Sequence, residues 1–90
     1  MEKDKILIKL NFVEIDEVFD VFIPVNELVW KVKKLLIKSV ADLTQTKLDM
    51  NNEYIIMNAT TNEIYDNNQV IIDTNIRNAT EIIMIPKEVG

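Results

Sequence analysis

The sequence predicts an α+β fold in which one amphipathic helix packs on one face of a mixed sheet of four or five strands. Three observations predict it. Before Pro24, apolar residues alternate with a period of two, and between residues 27 and 43 they recur at the helical period. After the helix, short β-branched runs are separated by turn residues. The chain order is therefore ββαβ(β)β.

The first two strands are predicted to form a hairpin. The first runs from Lys5 to Phe12 and the second from Val18 to Ile23, where Pro24 ends it because proline cannot donate to a ladder. The residues predicted to face the core are Ile6, Ile8, Leu10, Phe12, Phe19, Val21 and Ile23.

The helix is predicted from Glu27 to about Leu43, with Asn26 as its N-cap and Glu27 favourably placed in the first turn. One broad arc of its surface is apolar and is expected to face the sheet. This arc holds Leu28, Val32, Leu35, Leu36, Ser39 and Leu43.

Three later strands are predicted at Tyr54–Met57, Glu63–Tyr65 and Glu81–Ile85. Of these, Ile55, Met57, Ile82 and Met84 are predicted to face the helix. Gly90 is the only glycine, so Asn and Asp are expected at the turn positions with positive φ. A helix on one face of such a sheet gives a β-grasp fold with strand order 2-1-5-3.

Composition excludes several classes of function. The chain has no Cys and no His, which removes thiolate chemistry, Cys/His zinc sites and imidazole acid–base catalysis. A net charge of −5 argues against a nucleic-acid partner. No secretory signal or apolar run of about 20 residues is present, so we expect a cytoplasmic protein without membrane insertion.

Candidate residues for chemistry are few. Ser39, the one serine, has no histidine to activate it. The oxygen-bearing residues Asp66, Asn67, Asn68 and Asp73 lack the spacing and the glycine of a calcium loop, and turn chemistry explains them. We therefore expect no catalytic residues, no metal, no cofactor and no enzyme activity.

The segment from Val70 to Met84 resembles the late part of ubiquitin-like proteins. Ile71, Asp73 and Ile76 match the apolar, acidic and apolar anchor positions of that pattern. Thr74 departs from the usual aromatic residue, and no glycine precedes the last strand.

The stretch Phe19–Pro24, running into the helix through Leu28, is similar to the YukD/EsaB family of bacterial ubiquitin-like proteins associated with type VII secretion. The resemblance covers about Lys5 to Ile85. It implies a single ubiquitin-like domain over residues 4–87, and a secretion-accessory or regulatory protein that acts as an adaptor by binding.

The last residues, with a short tail at 88–90, contain one glycine rather than the diglycine of ubiquitin, so conjugation is not expected. Two alternatives stay open. One is a regulatory domain of a larger enzyme. The other is a ubiquitin-like modifier or sulfur carrier, which the missing diglycine disfavours.

The sheet face opposite the helix is the first candidate binding surface. It is predicted to carry Leu7, Val18, Phe22, Tyr54, Ile56, Ile83 and Ile85. Exposed apolar patches mark interaction sites. The predicted protein-binding residues on this face are Leu7, Phe22, Ile56, Ile83 and Ile85, facing a partner protein or a second copy of the chain. The alternative is that the N-terminal segment, the loop Thr44–Asn52 or a neighbouring molecule covers them.

The helix offers a second candidate. Trp30 and Ile37 are seven residues apart and are predicted to share a face opposite the core arc, flanked by Lys33 and Lys34. An exposed Trp beside cations suits a binding hot spot. The alternative is that Trp30 packs sideways onto a loop.

Overall fold

The computed structural model describes residues 4–87, and the predicted tail at 88–90 lies outside them. These 84 residues form four strands, one α-helix and two short 3-10 turns. In order they are β1 (Lys5–Phe12), a 3-10 turn (Val13–Ile15), β2 (Glu17–Pro24), α1 (Val29–Thr44), β3 (Tyr54–Asn58), a second 3-10 turn (Ile71–Asp73) and β4 (Glu81–Pro86).

The strands form one mixed sheet in the order β2-β1-β4-β3. β1 pairs antiparallel with β2 and parallel with β4, and β3 pairs antiparallel with β4. This confirms the predicted α+β, β-grasp architecture. The predicted strand Glu63–Tyr65 is reduced to a single bridge between Ile64 and Met57.

The core lies between this sheet and α1. The inward face predicted for the hairpin is confirmed, with Phe19 and Ile6 packed at the edge of the core. The buried apolar residues are Ile8, Leu10, Phe12, Val21, Ile23, Val29, Val32, Leu36, Ile37, Val40, Tyr54, Ile56, Tyr65, Ile71, Ile76, Ile82 and Met84.

The start of α1 differs from the prediction. The helix begins two residues later, at Val29, and the Asn26 side chain does not cap it. Its first-turn donors use main-chain carbonyls instead: the Val29 N–H donates to Gln69 at 2.8 Å and the Trp30 N–H to Asn67 at 3.3 Å. Since these N–H groups have no partner within the helix, a neighbouring loop has replaced the side-chain cap.

The buried arc of α1 is also displaced from the prediction. Ile37 is only 2% exposed, whereas Leu35 and Leu43 are 40% and 63% exposed. At 100° per residue, the observed arc is rotated by roughly 70° around the helix axis. The helix is apolar around most of its circumference, so periodicity alone did not fix which face turns inward.

The phase of β3 is the reverse of the prediction. Tyr54 and Ile56 face the core, and Ile55 and Met57 face away. The run of apolar side chains gives no alternation, so contacts decide the phase. The ring of Tyr54 lies 5.3 Å from that of Phe12 between centroids, which fixes Tyr54 inside.

Positive φ is not confined to Asn and Asp. Asp16 and Asn62 follow the expectation, but Gln45 ends α1 at φ 57° and Ala79 precedes β4 at φ 73°. The Ala79 N–H donates to the Leu7 carbonyl at 2.7 Å, which ties this strained residue to β1. A β-carbon in the left-handed region costs about 1–2 kcal/mol.

The inverted phase of β3 predicts opposite costs for two neighbouring isoleucines. Ile56→Ala should lower the free energy of unfolding by about 2–5 kcal/mol because it opens a cavity in the core. Ile55→Ala, the matched control, should cost about 1 kcal/mol or less. Urea unfolding of both variants measures the difference, and a larger loss for Ile55→Ala would contradict this phase.

The strain at Ala79 predicts a stabilising glycine. Ala79→Gly should raise the free energy of unfolding by up to about 1 kcal/mol. Glycine removes the conformational strain of the folded state, and this gain exceeds the free-energy cost of the more flexible unfolded chain. Ala41→Gly makes the same change inside α1 and should lower it by about 1 kcal/mol. Equal losses in the two variants, measured by urea unfolding, would contradict the assigned backbone conformation.

Candidate functional site

The first candidate site is the outer sheet face, the side of the sheet turned away from α1. Strand alternation places on it every second residue of the four strands. Its apolar members are Leu7, Val18, Phe22, Ile55, Met57, Ile83 and Ile85.

A row of charges divides this face into two parts. In the register, Lys9 lies opposite Asp20 on β2 and opposite Glu81 on β4. On one side of the row, Leu7 and Phe22 form a pair on the hairpin. The apolar residues of β3 and β4 lie on the other side, so the face carries two apolar patches rather than one.

The larger patch, here called the β3–β4 patch, consists of Ile55, Met57, Ile83 and Ile85. Ile83 lies opposite Met57, and Ile85 opposite Ile55, so the four side chains are contiguous. All four are half-buried. Ile64, 55% exposed, bridges to Met57 and extends the patch at the sheet edge.

The loop between α1 and β3 does not cover this face. Leu48 packs against the core, and the Lys34 ammonium donates to the Met50 carbonyl at 3.3 Å. Both contacts hold the loop on the helix side of the sheet. The outer face of the edge strand β2 is also exposed to solvent, with Phe22 63% exposed and Val18 54% exposed.

The predicted site residues are therefore divided by the structure. Leu7, Phe22, Ile83 and Ile85 lie on the outer face as predicted. Ile56 does not, because it is 1% exposed and belongs to the core. Sequence reasoning missed Ile55 and Met57, which take the outward positions that the reversed phase of β3 assigns to them.

The second candidate site is a groove of about 310 Å³ between the first half of α1, the start of β3 and residues 64–67, here called the α1–β3 groove. Ile37, Tyr54 and Tyr65 line it and are buried, so they form its floor. Trp30 lies at the rim, 38% exposed. Trp30 and Ile37 thus meet as predicted, but Ile37 is buried and not on an exposed face.

Three lysines line the α1–β3 groove. The Lys33 ammonium donates to the Asn67 side-chain carbonyl at 2.7 Å, and Lys34 bonds to the loop as described above. Lys87 pairs with Glu53 at 3.5 Å, and both side chains are well exposed. Lys87, Asn67 and Glu53 are distant from α1 in the sequence, so no local pattern could have assigned them to this groove.

Burial and charge shift three pKa values around the groove. Burial lowers the pKa of Lys33, the Lys87 ammonium lowers it further, and Glu53 acts in the opposite direction. Burial, with the hydrogen bond to Glu14, raises the pKa of Tyr54 to about 12. Burial also raises the pKa of Tyr65, which bonds to Asn58.

Within residues 4–87, no three His, Cys, Asp or Glu side chains converge as metal ligands. In the same residues no helix has both the length and the apolar character needed to cross a membrane. The β3–β4 patch presents apolar side chains, and the α1–β3 groove presents lysines beside the Trp30 indole.

Comparison with solved structures shows the fold. The ubiquitin-like domain of an Arabidopsis thaliana protein is 17% identical, with 94% of this chain and 80% of that chain aligned and a TM-score of 0.67. The C-terminal ubiquitin-like domain of human 2′-5′-oligoadenylate synthetase-like protein is 10% identical, covering 100% and 92%, with a TM-score of 0.68.

A chain of the ESX-5 inner membrane complex is 8% identical, covering 97% of this chain and 22% of that chain, with a TM-score of 0.74. No protein-family model matches the sequence, and no curated protein matches it significantly. The chain therefore has a ubiquitin-like β-grasp fold, and the likeness extends to the fold alone.

The Tyr54 hydroxyl predicts a pH effect. It donates to the Glu14 carboxylate at 2.5 Å and is held neutral in the folded state. Because the folded pKa lies above the unfolded value near 10, the stabilisation is complete below pH 10 and is lost as pH rises to 12. The loss attributable to this group should be about 1–3 kcal/mol.

Urea unfolding at pH 9 to 12 of the wild-type protein and of Tyr54→Phe measures this loss. All other ionisable groups are the same in both proteins, so only the difference between the two profiles reports on Tyr54. The variant should be less stable at pH 9 and should fall less steeply above pH 10. If the free energies of unfolding of the two proteins fell in parallel with pH, the raised pKa of the Tyr54 hydroxyl would be contradicted.

Proposed function

We propose that this chain is a non-catalytic protein-binding adaptor, and that it binds a partner protein through the β3–β4 patch. The observation that carries the proposal is the contiguity of Ile55, Met57, Ile83 and Ile85 on the side of the sheet turned away from α1. The four side chains are partly exposed and adjacent, and contiguous apolar surface of this kind marks interaction sites on soluble proteins.

The patch has the layout of a binding surface. Its centre is aliphatic, and polar residues border it on two sides: Asn11 lies between Ile83 and Val18, and the row that contains Lys9 and Glu81 lies beside it. An apolar centre with a polar rim is the arrangement in which partner side chains can displace water while the rim sets orientation. The partner is therefore expected to present apolar side chains.

The finer part of the proposal concerns the biological setting. The resemblance to the YukD/EsaB family supports an accessory or regulatory role in bacterial type VII secretion, performed in the cytoplasm. The fold likeness to a chain of the ESX-5 inner membrane complex is compatible with a partner in a membrane assembly. Adjacency of the gene to a secretion-system membrane ATPase is the observation that tests this setting.

Substitution of Ile83 by Asp should abolish partner binding. A charge at the centre of the patch would be buried unpaired in the complex, which costs several kcal/mol, so binding should weaken by about 100-fold or more. Partners are captured from source cells with the tagged wild-type chain, identified by mass spectrometry and then titrated in purified form against each variant.

Ile72→Asp is the matched control, because Ile72 is 54% exposed in the second 3-10 turn and away from the outer face. Circular dichroism establishes that each variant is folded, and Met57→Asp on the edge strand, outside the α1–β3 groove, replaces Ile83→Asp if the latter unfolds. Unchanged affinity in the patch variants would overturn the proposed surface. Sedimentation of the wild-type chain alone distinguishes a second copy from a different protein.

A further inference from the structure

The α1–β3 groove reverses the sign of the protein's charge. The chain as a whole carries −5, but the groove is lined by Lys33, Lys34 and Lys87 against the carboxylates of Glu53 and Asp66. Glu53 and Lys87 form an exposed pair that is screened by solvent and contributes little. A positive excess therefore faces the cavity on an otherwise acidic molecule.

Lys33 and Lys34 are the groove lysines that form no ion pair with a side chain of residues 4–87. The Lys33 side chain is partly buried, and its ammonium donates to the neutral side-chain amide of Asn67 at an exposed position. Among residues 4–87, the ion pairs belong to Lys31 with Glu27 and to Lys87 with Glu53, and Lys33 is in neither. Burial and the neighbouring Lys87 ammonium lower the pKa of Lys33, and Glu53 acts in the opposite direction. A carboxylate entering the groove would offset this lowering of the pKa.

The rim supplies an apolar wall for a bound chain. Trp30 is partly exposed there, and the Lys31 ammonium lies 5.6 Å from the centre of its ring. An indole offers a large rigid contact surface at low entropic cost, which is why Trp is frequent in binding sites.

The edge of β3 supplies main-chain hydrogen bonds. The segment 63–65 pairs with only the second half of the strand, through Tyr65 N–H to the Ile56 carbonyl and Asn58 N–H to the Glu63 carbonyl. By alternation, the main-chain groups of Tyr54 point to the same open side, next to the groove. An extended peptide can use such an edge.

We propose that the α1–β3 groove binds an extended acidic segment of a partner protein, with its carboxylates on Lys33 and Lys34 and its chain against Trp30. This is a second binding function, at a groove that adjoins the β3–β4 patch at Ile55 and Ile64. A peptide is favoured over a nucleic acid because three lysines on a molecule of net charge −5 cannot offset the repulsion of a phosphate backbone.

The single tryptophan of the chain is a built-in probe for the test. The folded chain is titrated with a blocked seven-residue peptide of alternating Glu and Val, and Trp30 fluorescence is recorded at low and high salt. The same peptide with Gln in place of Glu is the matched ligand. We expect saturable binding of the acidic peptide, at least tenfold tighter than the Gln peptide and weakened by salt.

Variants locate the site. Lys33→Gln should weaken binding about tenfold, and Lys34→Gln serves in its place if Lys33→Gln unfolds. Lys38→Gln removes the same charge from the same helix outside the groove and should change affinity less than twofold. Ile83→Asp should also leave peptide affinity within twofold, so failure of the β3–β4 patch and failure of the groove give different results.

Four outcomes would overturn the proposal: equal affinity for the Glu and Gln peptides, no effect of either groove lysine, an equal effect of Lys38→Gln, or tighter binding of a seven-nucleotide oligothymidylate. A fluorescence change that depends on protein concentration without peptide, together with dimer sedimentation, would assign the groove to a second copy and would overturn it as well.

Discussion

A single helix cannot cover a four-stranded sheet, and this geometric limit shapes the rest of the molecule. A helix with its side chains is about 10–12 Å wide. The outer strands of a four-stranded sheet are roughly 14 Å apart, before their own side chains are counted. α1 therefore covers only part of the inner face, and nothing in the described chain covers the outer face. The remainder of the inner face must be closed by irregular chain.

The segment between β3 and β4 closes it. Tyr65, Ile71 and Ile76 come from this segment and are fully buried beside the helix. The same segment supplies the carbonyls of Asn67 and Gln69 to the first turn of α1, so it fixes the helix end as well as the core. The α1–β3 groove lies where this segment does not fill the space between α1 and β3. This explains why helix, strand and loop residues all line the groove.

Sequence periodicity predicts the parts of this fold where polar and apolar residues alternate. β1 and β2 alternate, and their inward faces and pairing follow directly. The run Tyr54–Met57 does not alternate, and its phase depends on two tertiary contacts. The ring of Tyr54 packs against that of Phe12. The side-chain amide N–H of Asn58 donates to the Tyr65 hydroxyl, and its side-chain carbonyl accepts from the main-chain N–H groups of the following turn. These are tertiary contacts without a local signature.

The helix shows the same limit. Apolar residues around most of α1 fit more than one inward arc, and the sheet selects the β-branched set that includes Val29, Ile37 and Val40 over Leu35 and Leu43. Strand alternation did predict that apolar side chains would lie on the far side of the sheet. It could not predict the Lys9 row that divides that surface, because the row depends on register between three strands.

The alternation of β3 joins the two candidate surfaces. Tyr54 turns towards the groove and Ile55 towards the outer face, and both belong to the open edge of the sheet. A partner strand added at that edge would place alternate side chains on the two sides of the sheet. Carboxylates on one side would meet Lys33, while apolar side chains on the other would extend the surface begun by Ile55 and Ile64. One extended segment with this alternation could engage both surfaces, and its length would be limited by the short free part of β3, since residues 63–65 already occupy the rest.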